Sequence, residues 1–296
     1  MSAHASTLRV GLRDVVRTAR PPKIAPVPLL AWSGYALRHG RDVLPLAWVT
    51  LAVVAVTLLV TRLNVLTDES LDLASRPELA RGLRRSARFV VGASVVEVAL
   101  LCVALLAVDG DARLALVALL AFGVLYSFNF LSPHPVRSRW KAHWLGHAAA
   151  FVGSYAALWA AGAGAAGHGG GALVLLVALA TGVVDYAVYV GECAIDHDEE
   201  ASAGLRTAAA LLGPRTSSVL ALVLFGAGAC LHASWITTAL AAAFVPPLAL
   251  RGTFLVALAA AELGGHRDRA HALRSRAADA VFLATRLWTF FALALA

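Results

Sequence analysis

Residues 142–184 read AHWLGHAAAFVGSYAALWAAGAGAAGHGGGALVLLVALATGVV and contain no Lys, Arg, Asp or Glu. A bilayer core of about 30 Å needs roughly 20 apolar residues per helix, so this stretch is long enough for two spans. The glycine-rich segment 162–171 divides it, because glycine is a poor helix former. We therefore predict two successive membrane helices, over 143–163 and 172–194.

The whole chain shares this apolar composition. Its 296 residues are 59% apolar and 15% charged, with a mean hydropathy of +0.74, whereas soluble proteins are about 45–50% apolar and about 25% charged. We predict an all-α polytopic membrane protein, with about nine transmembrane helices in two pseudo-repeated four-helix halves around a central cavity. The spans are 22–38, 43–63, 88–108, 113–131, 143–163, 172–194, 216–233, 237–263 and 279–296. Pro246, Pro247 and Arg251 leave open a kink or a turn in the eighth.

Basic residues orient the predicted spans. With a cytoplasmic N-terminus, the segments 1–23, 62–88, 132–141, 195–215 and 264–278 share one side and hold 20 of the 25 Lys and Arg residues. This imbalance is typical of cytoplasmic loops of a cell-membrane protein. It accounts for the net charge of +7 without nucleic-acid binding. We expect one integral-membrane domain over 1–296, in which residues 1–21 form an interfacial segment on the lipid bilayer.

Eight of the 18 acidic residues lie in two clusters at predicted cytoplasmic helix ends. The first reads Asn64-Val-Leu-Thr-Asp68-Glu-Ser-Leu-Asp72, and the second reads Glu192-Cys-Ala-Ile-Asp196-His-Asp-Glu-Glu200. In each, oxygen-bearing side chains recur every four residues, on one face of a helix, where like charges repel. Such oxygens suit Mg²⁺, although two solvated acidic loops are the alternative. The predicted metal ligands are Asn64, Asp68, Asp72, Glu192, Asp196 and Glu200.

The two clusters resemble the two Asp-rich motifs of the UbiA-type intramembrane prenyltransferase superfamily. The first is followed by Arg76-Pro77 and Gly82, and the second by Gly204-Leu-Arg206-Thr207. The predicted spans, with the motifs after the second and sixth, extend the resemblance over nearly the whole chain. Two features depart from the family pattern. Glu200 stands where that motif usually ends in Asp, and Tyr126-Ser127 is not followed by the Lys that the family often has.

The resemblance implies a prenyltransferase that ionises a prenyl diphosphate and transfers the carbocation to a hydrophobic acceptor. Two Mg²⁺ ions would lie between the clusters, where Asp68 and Asp196 are the expected catalytic carboxylates. The basic residues expected to bind the diphosphate are Arg76, Arg137, Lys141 and Arg206. Aromatic faces stabilise a cation, and the expected cavity aromatics are Tyr126, Tyr155, Trp159 and Tyr189.

Four charged residues fall inside predicted spans, where an ionised side chain is costly. They are Glu97, Asp185, Arg251 and Arg286. Asp185 precedes Glu192 by seven residues, so we expect it in the same cavity, as a catalytic group that orients or deprotonates the acceptor. A buried Glu97–Arg286 or Asp185–Arg286 salt bridge would explain the same residues without catalysis. His143 and His147 are expected at the cytoplasmic interface, not as metal ligands.

Two other functions remain open from the sequence. A membrane terpene cyclase would keep the fold and the ionisation step, with a double bond of the substrate attacking the cation in place of an external acceptor. A non-enzymatic membrane transporter would account for charges inside the spans and for internal duplication. The position of the acidic clusters at one membrane face, away from the midplane, favours the enzyme.

Overall fold

The computed structural model of the protein describes Val16 and residues 24–67, 86–127, 143–167, 171–202 and 206–296. Eight helices in these ranges are long and apolar enough to cross a membrane. The predicted all-α polytopic fold class is confirmed, and the interfacial segment 1–21 lies outside the described residues apart from Val16. In chain order the helices are α1 (Pro28–Leu37), α2 (Val43–Thr67), α3 (Ala87–Ala107), α4 (Gly110–Ser127), α5 (Trp144–Ala165), α6 (Ala172–Ile195), α7 (His197–Ser202), α8 (Ala208–Leu212), α9 (Pro214–Ala233), α10 (Thr238–Leu263) and α11 (Arg267–Leu295).

The long helices form a closed ring. Successive neighbours are α2, α4, α5, α6, α9, α10 and α11, and α1 closes the ring by packing between α11 and α2, while α3 packs on the outside of α2. The charge-free stretch becomes the centre of the bundle. Helices α5 and α6 bury more than half of their residues, whereas the other six bury a third or less. Apolar side chains of α3 point outward, including Val91, Val95 and Leu106, as expected of a helix that faces lipid.

Helix α1 is shorter than the first predicted span, 22–38. Its ten residues rise about 15 Å, half of the bilayer core, and eight of them are buried. Two glycines allow its close approach to α5. A Cβ on Gly162 would lie 1.7 Å from the carbonyl oxygen of Ala31, and one on Gly34 would lie 2.2 Å from that of Trp159. The first predicted span is therefore an internal packing element.

The last two helices also differ from the predicted boundaries. Helix α10 is continuous and contains Pro246 and Pro247, so the region 216–263 holds two helices with the prolines inside the second. Membrane helices tolerate such prolines because neighbouring helices can satisfy the backbone groups that proline leaves without a hydrogen bond. Helix α11 begins at Arg267, although the predicted span begins at residue 279. The segment 264–278 is thus mostly helical, and it carries arginines to the acidic second motif.

Candidate functional site

The directions of the helices bring Asn64, the first residue of the first motif, and the second motif to the same end of the bundle. Gly123, near the end of α4, lies against Val60, near the end of α2, so these two helices end on one side. Helix α5 returns antiparallel to α4, with Gly164 against Ala112, and α6 then runs back to the first side. We call this side the motif end. It contains Asn64 in the last turn of α2, the start of α5 and the end of α6.

The second motif keeps its four-residue spacing across a helix break. Helix α6 ends at Ile195, and Asp196 lies at its C-cap with φ −88° and ψ 12°. The backbone N–H of Glu200 nonetheless donates to the Asp196 carbonyl at 3.0 Å, so the turn continues into α7. Glu192, Asp196 and Glu200 are all half-buried. The three acidic residues therefore keep their four-residue spacing at the motif end, across the end of α6 and the start of α7.

The carboxylate of Glu200 is held by a neighbouring hydroxyl group. Thr207 donates a hydrogen bond to Glu200 Oε2, and the Thr207 hydroxyl also accepts from the backbone N–H of Ala210 at 3.2 Å, which caps α8. Burial raises the pKa of the Glu200 carboxyl above its ordinary value, and the hydrogen bond from Thr207 opposes that shift. A nearby cation would favour the ionised form. The longer Glu side chain is thus anchored at the position where the family motif usually has Asp.

Arg274 is a site residue that the sequence analysis missed. Its guanidinium forms an ion pair with Asp196 Oδ1 from a half-buried position on α11. At the start of the same helix, Arg267 pairs with Asp198 at 2.8 Å and with Glu262 at 3.5 Å. Arg274 thus places a positive charge beside a carboxylate that is predicted to bind a metal ion.

The apolar pattern before the last predicted span could have revealed this part of α11. Ala270, Leu273, Ala277 and Val281 recur every three or four residues, a helical spacing. All four pack in one cluster with Ile195. The four arginines of this half make it too polar to resemble a membrane span in the sequence.

The segment after the second motif reaches the start of α5. The backbone N–H of Trp144 donates to the carbonyl of Arg206 at 3.2 Å, and the hydroxyl of Tyr186 donates to the Trp144 carbonyl at 3.1 Å. The side chain of Arg206, a predicted diphosphate-binding residue, is exposed at the motif end. A small pocket leads from Thr207 into the bundle. It is lined by Trp144, His147, Tyr186, Tyr189, Val190, Cys193, Thr207 and Ala208.

Several of the rings that line this pocket belong to a larger layer of aromatic rings. The ring of His147 lies 4.3 Å from that of Tyr189 and 5.0 Å from that of Tyr126, centroid to centroid. Phe151 continues the layer and stacks on Tyr155 at 5.0 Å. Three of the four predicted cavity aromatics, contributed by α4, α5 and α6, therefore meet in one cluster.

Trp159 and His147 are both buried inside the bundle. Trp159 lies deeper than the aromatic layer, where it is fully buried and stacks on Phe244 at 6.3 Å. The interfacial position expected for His147 is wrong, because its side chain is only 2% exposed and is packed among the tyrosines. His143, four residues earlier, is exposed. A histidine at the start of a membrane helix is pulled inside when it lies on the face that packs against its neighbours.

The two buried acids far from the helix ends, Glu97 and Asp185, are ion-paired. Glu97 of α3 pairs with Arg62 of α2, whose Nε lies 2.9 and 3.0 Å from the two carboxylate oxygens. The alternative Glu97–Arg286 bridge is therefore wrong, and Arg62 belongs to α2 instead of the predicted loop 62–88. The alternative Asp185–Arg286 bridge is present. Asp185 also pairs with Arg251 at 3.0 Å.

Several predicted residues lie outside the described ranges. They are Asp68, Asp72, Arg76, Arg137 and Lys141. Within the described residues, no group of three or more His, Cys, Asp or Glu side chains could hold a metal ion.

The fold is similar to those of known membrane proteins, although the sequence matches no protein-family model and no curated protein. An apo UbiA homologue from Aeropyrum pernix K1 superposes with a TM-score of 0.66 at 18% identity, covering 92% of this chain and 96% of that chain. A digeranylgeranylglyceryl phosphate synthase gives 0.64 at 14% identity, covering 98% of both chains. A UbiA homologue from Archaeoglobus fulgidus, bound to GPP and Mg²⁺, gives 0.59 at 15% identity, covering 96% of this chain and all of that one.

These similarities extend over nearly the full length of the chain. The protein therefore has the fold of the UbiA-type intramembrane prenyltransferase superfamily, and the resemblance noted from the two motifs is confirmed at the level of the fold. At identities of 14–18% the activity is a separate question, because one fold supports many functions.

Proposed function

We propose that the protein is a Mg²⁺-dependent intramembrane prenyltransferase that uses a prenyl diphosphate donor. The observation that carries this proposal is the row of Glu192, Asp196 and Glu200 at the mouth of a bundle with this fold. UbiA homologues of similar fold have been solved with GPP and Mg²⁺ and with DMAPP and Mg²⁺. We further propose that the motif end faces the cytoplasm, because the basic residues concentrate in the segments on that side.

The metal ligands would come from both motifs. Two bound Mg²⁺ ions would neutralise the diphosphate and stabilise the charge that develops on it as the C–O bond breaks. The residues proposed to hold them are Asn64, Asp68, Asp72, Glu192, Asp196 and Glu200. Arg76, Arg137, Lys141 and Arg206 are proposed to contact the diphosphate oxygens, where arginine can bind in a bidentate manner.

The aromatic layer is proposed to protect the carbocation left by ionisation. Water would quench an allylic cation, and the packed interior of the bundle excludes water. The rings of Tyr126, Tyr189 and Tyr155 belong to one aromatic cluster, and we propose that this cluster lines the path of the substrate from the motif end into the bundle. Each ring can stabilise a cation by ~0.5–2 kcal/mol. Trp159 is proposed to close the deeper end of the path.

Asp185 remains a predicted catalytic residue, with its contacts now defined. Each of its oxygens is engaged by a guanidinium, one from Arg251 and one from Arg286. These contacts are those expected if Asp185 forms a buried salt bridge and has no part in catalysis. If Asp185 acts on the acceptor, we propose that it does so through Arg286, which donates to the hydroxyl of Tyr155 at 2.7 Å.

The second candidate is a membrane terpene cyclase of the same fold. The continuous row of rings from Tyr126 through His147 and Phe151 to Tyr155 favours it, because a cation that migrates during cyclisation needs stabilisation along its path. The two candidates differ in whether an external acceptor is needed.

Diphosphate release by the detergent-purified protein tests both candidates. Geranyl, farnesyl and geranylgeranyl diphosphates are supplied with Mg²⁺, with and without a pool of hydrophobic acceptors, and the organic products are analysed. Release that requires an acceptor and is lost in Asp68→Ala and Asp196→Ala supports the transferase. Efficient release without acceptor, giving cyclic products, supports the cyclase. Release that persists in both variants, or no release under any condition, contradicts the two-motif site.

A further inference from the structure

A second charged site lies deep in the bundle, away from the motif end. It joins four helices through Tyr155 of α5, Asp185 of α6, Arg251 of α10 and Arg286 of α11. Arg251 Nη1 lies 3.0 Å from Asp185 Oδ1, Arg286 pairs with Asp185 Oδ2, and Arg286 Nη2 donates to the Tyr155 hydroxyl at 2.7 Å. Asp185 and Arg251 each lie near the middle of their helices, which places the cluster near mid-depth of the membrane.

The charges of this cluster do not balance. It contains one carboxylate and two guanidinium groups, and the side chains of Asp185, Arg251 and Arg286 are 2–5% exposed. Arginine stays protonated in proteins, so the described contacts leave one net positive charge. The other buried pair, Arg62 with Glu97, has equal and opposite charges. An ionised side chain inside a membrane is costly and is by default a candidate functional site, for which a partner charge is sought.

The hydrogen bonds of Arg286 also leave room for a further partner. Its Nε is buried and has no hydrogen-bond partner among the residues that the structure describes. Its guanidinium carbon lies 4.9 Å from the ring centroid of Tyr155 and 4.7 Å from that of Phe282. Arg251, in contrast, directs Nε and Nη2 to the hydroxyl of Thr285, at 3.2 and 2.9 Å. The unsatisfied donor and the excess charge therefore coincide at Arg286.

We propose that this cluster binds a small monovalent anionic group, a halide ion or a carboxylate, which accepts a hydrogen bond from Arg286 Nε. One negative charge would neutralise the cluster, whereas a diphosphate would overcompensate it. The site goes beyond the proposed transferase function, because it needs neither motif and no metal.

Bromide provides a direct probe of this site. The detergent-purified protein is melted in increasing sodium bromide, with sodium gluconate keeping the ionic strength constant, and crystals grown in bromide are measured for anomalous scattering. We expect a saturable rise in Tm and an anomalous peak at hydrogen-bond distance from Arg286 Nε. If the Tm does not depend on bromide and the crystals show no such anomalous peak, the halide form of the proposal is overturned.

Variants separate anion binding from a purely structural role. Arg286→Gln abolishes the saturable effect, and Arg251→Gln does the same if the first variant does not fold. Asp185→Asn removes a negative neighbour, so it tightens bromide binding by about tenfold although it also disrupts the cluster. The matched control Arg62→Gln lowers stability and leaves bromide affinity unchanged. If Asp185→Asn weakens bromide binding as Arg286→Gln does, the proposal is wrong.

Two further measurements fix the nature of the negative charge. Sodium octanoate replaces bromide in the melting series, and saturable stabilisation by octanoate alone identifies the carboxylate of an amphiphile as the ligand. Tyr155→Phe examines whether an ionised Tyr155 supplies the missing charge. Anion binding that is absent from the natural protein and arises only in Tyr155→Phe overturns the proposal.

Discussion

Substitution of Gly162 by alanine tests the close packing of α1 against α5. A Cβ at this position would lie 1.7 Å from the Ala31 carbonyl oxygen, 2.6 Å from its carbon and 2.9 Å from the backbone nitrogen of Tyr35. All three atoms belong to backbone, so no side-chain rotation relieves the overlap. Reaching an ordinary contact of about 3.5 Å requires the two helices to separate by about 1.8 Å. Overpacking costs typically ~1–3 kcal/mol, and we expect Gly162→Ala to destabilise the protein by about 3 kcal/mol.

The matched control is Gly92→Ala on α3. A Cβ at Gly92 would meet no atom of the described residues within 4 Å, and alanine is favoured over glycine in a helix interior by roughly 0.5–1 kcal/mol. Reversible unfolding of the detergent-solubilised protein in denaturant, followed by tryptophan fluorescence, gives the free energies of unfolding. Equal stability of the two variants would refute the described contact between α1 and α5.

Three further substitutions test the buried pair and the motif end. Glu97→Gln leaves Arg62 buried without its counter-charge and should cost ~3–5 kcal/mol in the same unfolding assay, whereas methionine at both positions should cost less than Glu97→Gln; equal losses would contradict this. Thr207→Val removes the donor to Glu200 and the cap of α8, so we expect a loss of ~1–2 kcal/mol that Thr207→Ser restores; a stable valine variant would argue against the contact. Arg274→Gln removes the guanidinium that pairs with the second motif, so Mg²⁺ should raise the Tm of this variant more than that of the natural protein, and an equal or smaller rise would show that the two cations do not compete.

The two central helices, α5 and α6, were predictable because a long charge-free stretch favours membrane helices over any other structure. A charge-free stretch of twice the length of a span, divided by glycines, gives two helices, and the predicted 172–194 corresponds to α6, Ala172–Ile195. The family resemblance likewise rested on two long motifs whose residue types and order are specific. These features depend on local sequence and on membrane thickness.

The features that were not predictable depend on tertiary contacts. Apolar length alone cannot distinguish a span from the buried ten-residue helix α1, whose position is set by the glycine contact at Gly162. The polar first half of α11 fails a hydropathy criterion, so Arg274 was not recognised. Pairing of charges requires knowledge of which helices are neighbours, and for that reason the partner of Glu97 proved to be Arg62.

Binding of a non-reactive donor analogue tests the central claim most directly. Geranyl thiodiphosphate is titrated into the detergent-purified protein by calorimetry, with and without Mg²⁺, for the natural protein, for Asp196→Asn and for the matched control Asp198→Asn, whose side chain is 73% exposed. The account predicts Mg²⁺-dependent binding that weakens by at least about tenfold in Asp196→Asn and is unchanged in Asp198→Asn. Binding without Mg²⁺, or equal binding by the two variants, would contradict a metal-diphosphate site at the second motif.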